Sequence, residues 1–397
     1  MSDLNYFILN PKDPLIIRSS RPFEAISDAE AAKFPPPSTI AGALRNLHGR
    51  TIGIDFNDRK NNQEQLKALL EVQISGPLAI KIPADQSTDN LEQKHILVPK
   101  PADAQYFAVD GKSTLVGLQP EKPKADEGCD LPNGLLPLII LSQDIDGKSV
   151  SGPKWWSIND LLEWRRGKKL EFSNIKENGW TPTKPDIRTH IERDNTTRSS
   201  VDGQIFQTTG LTMWQQPNEH DVFPSERVGI LAGIRGEISL TAMNLGGERR
   251  LAEVSPCCIW PQRPQNFASD IVTAQGLTLT LLTPAIFNAG WRPAWLDEEK
   301  LEGTPPGCKT LKLRLKAAAL DRWQPQSGWD LASNKPRASE RMIPAGATYW
   351  FEIVDGTATE QEIEKLWMAH LCDEKQHNLN GFGLMLPMAY AWNESKN

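Results

Sequence analysis

Phe34-Pro35-Pro36-Pro37-Ser38-Thr39-Ile40-Ala41-Gly42-Ala43-Leu44-Arg45 is a stop followed by a start. Three consecutive prolines neither continue a helix nor donate to a sheet ladder, so the chain reaches this point extended. Ser38 or Thr39 then offers a side-chain oxygen as an N-cap. The spacing predicts a helix over 38–48 with Ile40, Leu44 and Leu47 on one face. Ala41, Gly42 and Ala43 make a small face that admits close approach of another backbone, and Arg45 projects from the following turn. Upstream, Asp13–Phe23 reads as a short buried strand running into a loop that carries Arg18 and Arg21. A strand, a proline-set turn and a small-residue helix open many folds that mix helix and sheet.

Outward from this stretch, 397 residues predict two domains, each with its own core. The apolar content of 39% and charged content of 24% fit a soluble globular protein. Thirteen tryptophans and thirty prolines point to long ordered loops and aromatic surfaces. No apolar run nears the roughly 20 residues of a membrane span, and Met1–Asn5 lacks the basic and apolar regions of a secretory signal. Cys129, Cys257, Cys258, Cys308 and Cys372 include no C-x-x-C pair, and adjacent Cys257 and Cys258 are poorly placed to bridge or to share a zinc. The histidines add no metal-ligand spacing. A reduced, cytoplasmic protein without metal or other cofactor is the expectation.

The net charge of −6 argues against a free-standing, non-specific nucleic-acid binder. That objection weakens if one groove holds RNA while partners occupy the other surfaces, because patches set local potential.

Along the chain, 4–9 and 14–18 read as strands, and 71–82 alternates as a strand with a Gly-Pro break. Residues 83–153, rich in Pro, Gly and Asp, read as an insertion with little regular structure. Ser157–Trp164 predicts a short helix, and Arg165-Arg166-Gly167-Lys168-Lys169 a basic cluster at its end. Ile187–Arg193 and Gly203–Thr209 predict a projecting hairpin, spanning about 187–212, with Arg188, His190, Arg193 and Arg198 on its first strand and tip. Asn244–Val254 is a glycine turn, Gly246-Gly247, feeding a strand and followed by Arg249 and Arg250. Pro261–Pro264 marks a boundary that divides the chain into domains at 1–262 and 263–397.

In the second half, 277–282 predicts a strand, 294–301 a helix, and Thr310–Lys316 a strict alternation with Leu311, Leu313 and Leu315 on one face and Lys312, Arg314 and Lys316 on the other. A strand over 347–354 and a capped helix over 359–371 follow, then the glycine loop Gly381-Phe382-Gly383 and a last strand. Strand, helix, strand, strand, helix, strand is the split βαβ order. The fold expected is α+β, with two ferredoxin-like (βαββαβ) domains, large insertions and a projecting β-hairpin.

These features suit single-stranded RNA, which is held by cations on phosphate, backbone amides and aromatic stacking. Glycine turns let phosphate approach the amides. Gly246, Gly247, Arg249 and Arg250 offer amides with cations; Gly381, Phe382 and Gly383 offer amides with a ring. Lys312 and Arg314 offer a charged stripe.

The wording of several stretches is more specific than their pattern. Asp13–Arg18 with Arg21-Pro22-Phe23, the Phe34–Arg45 stretch, Arg188-Thr189-His190-Ile191 with Gly203–Phe206, Leu245–Arg250, Thr283–Phe287, Gly328–Leu331, Ile343–Gly346 and Gly381–Pro387 stand in that order. Together they resemble the RAMP-superfamily subunit that caps the 5′ tag of the guide RNA in type III-B CRISPR (Cmr) effector complexes. Met388 stands where that family leads one to expect a further glycine. The resemblance implies a non-catalytic subunit for antiviral defence, with the hairpin as a thumb that interrupts the guide–target duplex. Its implied partners are the guide (crRNA) 5′ tag, the large polymerase/cyclase-like subunit, the backbone RAMP subunit and, indirectly, target RNA. The RNA-contacting set then comprises Arg18, Arg21, Ser38, Thr39, Arg45, Arg188, His190, Arg193, Arg198, Gly246, Gly247, Arg249, Arg250, Lys312, Arg314, Gly381, Phe382 and Gly383. Two alternatives stay open: a guide-precursor endoribonuclease with His190 as general base, and a structural adaptor that binds only proteins.

Overall fold

The computed structural model describes residues 4–17, 32–58, 60–84, 86–123, 128, 130–132, 134–140, 147–215, 226–330 and 335–392. Arg18, Arg21 and Cys129 lie outside the described residues. The fold mixes helix and sheet: several antiparallel sheets dominate, and the helices are few and mostly short.

In chain order the elements that frame the molecule are β1 (Asn5–Pro11), α1 (Pro37–Thr51), β2 (Ile74–Pro83), α2 (Ile158–Arg165), β3 (Glu226–Ile234), β4 (Leu251–Cys257), β5 (Gly276–Leu281), β6 (Leu313–Ala319), β7 (Thr348–Ile353), α3 (Lys375–Leu379) and β8 (Met385–Ala389). The first large sheet contains the run β4-β1-β3-β2, and the second contains β8-β5-β7-β6. Every neighbouring pair is antiparallel. Both sheets therefore place the fourth strand beside the first and the third between first and second. The first sheet continues beyond β2 through Ile96–Pro99 to Trp155–Ser157 and beyond β4 to Ala242–Asn244.

Period-two alternation decides which core each residue joins. Phe7, Leu9 and Ala79 face α1, where Ile40, Leu44 and Leu47 pack on them as the helical spacing predicts. Ile8, Leu78, Ile80 and Ile82 face the other way, onto Trp156, Leu161 and Leu162. That second face also receives Leu282, Leu384, Leu386 and Met388 from the C-terminal half, so the two halves share one apolar layer. β2 is buried on both faces for this reason. Leu311, Leu313 and Leu315 enter the core of the second sheet, as their alternation predicts.

Several expectations need correction. Pro36, not Ser38 or Thr39, is the N-cap of α1; Pro37 opens the helix, and no side chain caps it. Proline suits that first position because its missing N–H has no intrahelical partner there. Of the strand expected over 14–18, the described residues 14–17 form only an isolated bridge between Leu15 and Leu211, and Arg18 lies outside the described residues. Residues 83–153 are far from irregular: Ala104–Val109 and Lys112–Pro120 form a hairpin flanked by Leu138–Ile140 and Lys148–Ser149. No helix forms over 294–301, where the chain runs in turns, and the helix expected over 359–371 is the single piece Glu360–Glu364. Thr359 does cap it, accepting from Glu362 N.

Two buried arginines join the halves. Arg165, at the end of α2, is not the solvated helix end that its sequence context suggests. It donates Nη1 and Nη2 to the two carboxylate oxygens of Asp103, each at 2.7 Å, and reaches Thr280 Oγ1 at 2.9 Å and Thr348 Oγ1 at 2.8 Å. Burial alone would raise the Asp103 carboxyl; the guanidinium and the Trp164 indole N–H hold it below its ordinary value. Arg45 donates to Val72 O (2.8 Å), Leu379 O (2.9 Å) and Asn380 Oδ1 (2.5 Å). Burial pushes its guanidinium down to about 10. Beside it His370 bridges the same joint: Nδ1 donates to Phe382 O at 2.8 Å, and Nε2 accepts from the Ser75 hydroxyl at 3.1 Å.

Removing one partner of a buried ion pair leaves the other charge uncompensated. Arg165→Ala should therefore lower the unfolding free energy by roughly 3–5 kcal/mol, read from urea denaturation; a loss below 1 kcal/mol would show that the joint is dispensable. His370 predicts a pH dependence. Burial pushes its imidazole down to about 4, against an ordinary 6.5, so protonation favours the unfolded chain. Its contribution is complete above pH 6.5 and is lost as pH falls through about 4, a range of about 3 kcal/mol. Wild type should lose more stability over that interval than His370→Gln; parallel curves would contradict the assignment.

Candidate nucleic-acid interface

The Asp186–Arg193 and Ser200–Gly210 strands form a two-stranded sheet that pairs with no other strand among the described residues. Asp194 closes the tip by accepting from the amides of Thr196 and Thr197, both at 2.7 Å. The register pairs Ile191 with Ile205 and His190 with Phe206. One face thus carries Ile187, Ile191 and Ile205, which are 52%, 56% and 66% exposed. The opposite face carries Arg188, His190 and Phe206. A monomer gains nothing by leaving such a strip in water, so the hairpin reads as a contact surface.

His190 stacks on Phe206 with ring centroids 5.0 Å apart and planes 14° apart. Its Nε2 lies 2.8 Å from Thr208 Oγ1. Arg188 pairs with Asp186 at 2.8 Å. Arg193 and Arg198 are exposed, and no carboxylate stands at ion-pair distance from either among the described residues.

At its base the hairpin meets the first glycine turn. Leu15 and Leu211 exchange backbone hydrogen bonds of 2.9 and 2.7 Å, and one residue further on Gly247 N donates to Ile16 O at 2.7 Å. Gly246 has φ +77°, and a Cβ there would stand 2.7 Å from Ile16 O. The glycine pair therefore serves a close backbone approach within the chain, at the point where it leads toward Arg18 and Arg21. Arg249 projects exposed from the turn at φ 53°, while Arg250 is paired with Glu248 at 3.2 Å.

The remaining residues of the expected set lie elsewhere. Arg45 is 6% exposed and fully engaged at the joint, so it does not project. Gly381, at φ +92°, is set so close to β2 that a Cβ would stand 2.2 Å from Gly76 O. Phe382 is 2% exposed, and a Cβ on Gly383 would meet Cys372 Sγ at 2.7 Å. The second glycine loop is thus a packing element between the halves, filled by its own side chains and by β2. Met388 is consistent with this, since its side chain joins the shared apolar layer. Arg314 faces outward but is held by Glu302 and Glu352, which leaves only Lys312 of that pair exposed without a carboxylate. Ser38 accepts from Gln326 Nε2 at 3.2 Å, and Thr39 is half-buried in the first turn of α1. Gly42 points to open space rather than to another backbone.

The site is thus a projecting hairpin with a glycine turn at its foot and exposed cations on both. A model of the CRISPR-associated protein (Cas_Cmr3) family matches residues 7–389, and the chain belongs to that family. No curated protein matches it. Among solved structures, it is similar at 14% identity to a chain of the type III-B Cmr-beta complex bound to cognate target RNA, covering 96% of each chain with a TM-score of 0.48. A second state of that complex, with AMPPnP, matches at 14% identity over 87% of this chain and 86% of that one, with a TM-score of 0.45. A chain of the Csm3-Csm4 subcomplex of the type III-A CRISPR-Cas interference complex matches at 12% identity over 88% and 93%, with a TM-score of 0.28.

The two glycine environments separate in a stability test. Gly42→Ala, in an exposed helical position with open space around it, should stabilise the protein by about 0.5–1 kcal/mol. Gly381→Ala should lower the melting temperature sharply, because backbone rather than a yielding side chain occupies the space. Equal effects in thermal denaturation would remove the packing role given to the second loop.

Proposed function

We propose that this chain is a non-catalytic guide-RNA-binding subunit of a type III-B effector, capping the 5′ tag of the guide. The convergence of the hairpin and the Gly246-Gly247 turn on Leu15–Ile16 carries the reading: it sets Arg249 and the foot of the hairpin beside the segment that leads to Arg18 and Arg21, while Arg188, Arg193 and Arg198 follow outward along the hairpin to its tip. Membership of the family supports the setting. In this reading the hairpin is the thumb that marks where guide–target pairing begins, and sequence recognition of the target rests with base pairing. Its partners are the large polymerase/cyclase-like subunit and the backbone RAMP subunit, inside the cell. The two sheets are then two ferredoxin-like units, the second beginning near residue 263. The matching strand orders β4-β1-β3-β2 and β8-β5-β7-β6 support this, although neither unit keeps both crossover helices.

The endoribonuclease reading places a general base at His190. Its ring is stacked on Phe206 and its Nε2 is hydrogen-bonded to Thr208, which favours a structural and stacking role for it. Incubation with repeat RNA in EDTA should give no cleavage that His190→Ala abolishes.

Two measurements test the leading reading. In the reconstituted complex, guide RNA with its tag should be retained better than guide RNA without it; equal retention argues against capping. For the full chain alone, Arg188, Arg193 and Arg198 changed together to Ala should reduce the slope of log affinity against log salt by about 2, since each phosphate contact on a single strand contributes roughly 0.7. An unchanged slope would place these arginines off the RNA.

A further inference from the structure

A second exposed aromatic and cationic surface, remote in sequence from the thumb, is carried by the hairpin formed by Gln324–Gln326 and Glu340–Ile343. The register pairs Pro325 with Arg341 and Gln326 with Glu340. Side chains alternate across such a pair, so Trp323, Pro325 and Arg341 share one side and Gln326, Glu340 and Met342 the other.

The second side is the inner one. Gln326 Nε2 donates to Ser38 Oγ at the head of α1, Glu340 lies 3.2 Å from His377 Nε2 on α3, and Met342 is buried. The first side faces solvent. Trp323 is 53% exposed, and the Arg341 guanidinium carbon sits 5.4 Å from its ring centroid. A tryptophan has more apolar area to lose than most residues, and about half of this one is left in solvent by the described residues.

Charge decides what this side is suited to meet. Some exposed arginines elsewhere are paired with a carboxylate, Arg166 with Glu163 and Arg263 with Glu364. Arg322, Arg337 and Arg341 are all exposed, and no carboxylate stands at ion-pair distance from any of them among the described residues. Glu340 is turned to the inner side. Asp321 is the neighbouring carboxylate, and its field acts on Lys100. On an acidic chain, an exposed indole with an unpaired guanidinium group over its ring complements a polyanion with flat aromatic faces. Guanidinium groups bind phosphate oxygens in a planar fork and also stack on rings, so they serve both parts of a nucleotide.

We propose that Trp323, with Arg341, is a stacking platform for an unpaired base of single-stranded RNA, with the Arg341 guanidinium on a flanking phosphate. This rests on the RNA-binding reading and adds to it a contact site remote in sequence from the thumb and the glycine turns.

The test compares Trp323→Ala, Trp323→Phe and the Arg188/Arg193/Arg198→Ala thumb variant as full-length proteins. The probe is one labelled guide RNA carrying its tag, measured by filter binding. Because the ring is on the surface, both Trp323 variants should keep the wild-type melting temperature. Trp323→Ala should weaken binding about fivefold or more, and Trp323→Phe should restore most of it, as expected when a base stacks on a ring. Photo-crosslinking of 4-thiouridine-substituted guide RNA should label the peptide containing Trp323. If the thumb variant loses affinity while Trp323→Ala binds as wild type and no crosslink maps there, the platform is overturned and the general reading stands. If Trp323→Ala keeps RNA affinity but weakens association with the other subunits, the surface is a protein contact and the proposal fails. If wild type retains no RNA, both readings fall.

Discussion

Two buried guanidinium groups hold this molecule together. Arg165 is clamped by Asp103 and by Thr280 and Thr348 of the second sheet, and Arg45 ties α1 to the backbone at Leu379 and Asn380. A buried charge is tolerated only when its hydrogen bonds are nearly complete. Arg165 requires elements from both halves at defined positions, and the same holds for Arg45 and for His370 between Ser75 and Phe382. The shared apolar layer supplies the bulk of the attraction between the halves. The polar clamps select one arrangement of them.

This constraint explains why the two glycine bends have different fates. Gly381 approaches β2 so closely that no side chain fits, and Phe382 fills the space beside it, so that loop is used up in joining the halves. The Gly246-Gly247 turn also approaches Ile16 closely, yet it lies at the edge of the first sheet, beside the foot of the hairpin. Glycine marks close approach in both places; what approaches differs.

The acidic total also takes on a physical meaning. Many surface cations are paired within a few residues or across one strand, such as Arg166 with Glu163 and Arg314 with Glu352. Such exposed pairs add little stability, but they cancel charge locally. Among the guanidinium groups left over are Arg193 and Arg198 on the thumb, Arg249 on the glycine turn and Arg341 beside Trp323, where they shape the local field more than the net charge does.

Much of the fold was legible in order: the α1 face of Ile40, Leu44 and Leu47, the alternation of Leu311, Leu313 and Leu315, the Ser157-led helix and the exposed hairpin all follow from local periodicity. Periodicity reports which side of an element is apolar, because a helix or strand must bury that side against something. It does not report against what. Arg45 and the Gly381–Gly383 loop looked like surface chemistry because arginine and glycine carry the same local signature in a binding loop and in a buried joint. The regular strands within 83–153 were hidden for a related reason: their pairing partners, not their composition, make them strands. Sequence by itself thus determined the strongly periodic elements and the family to which the chain belongs. Tertiary structure alone decided which cations and which glycines remained at the surface, since burial depends on contacts between residues hundreds of positions apart.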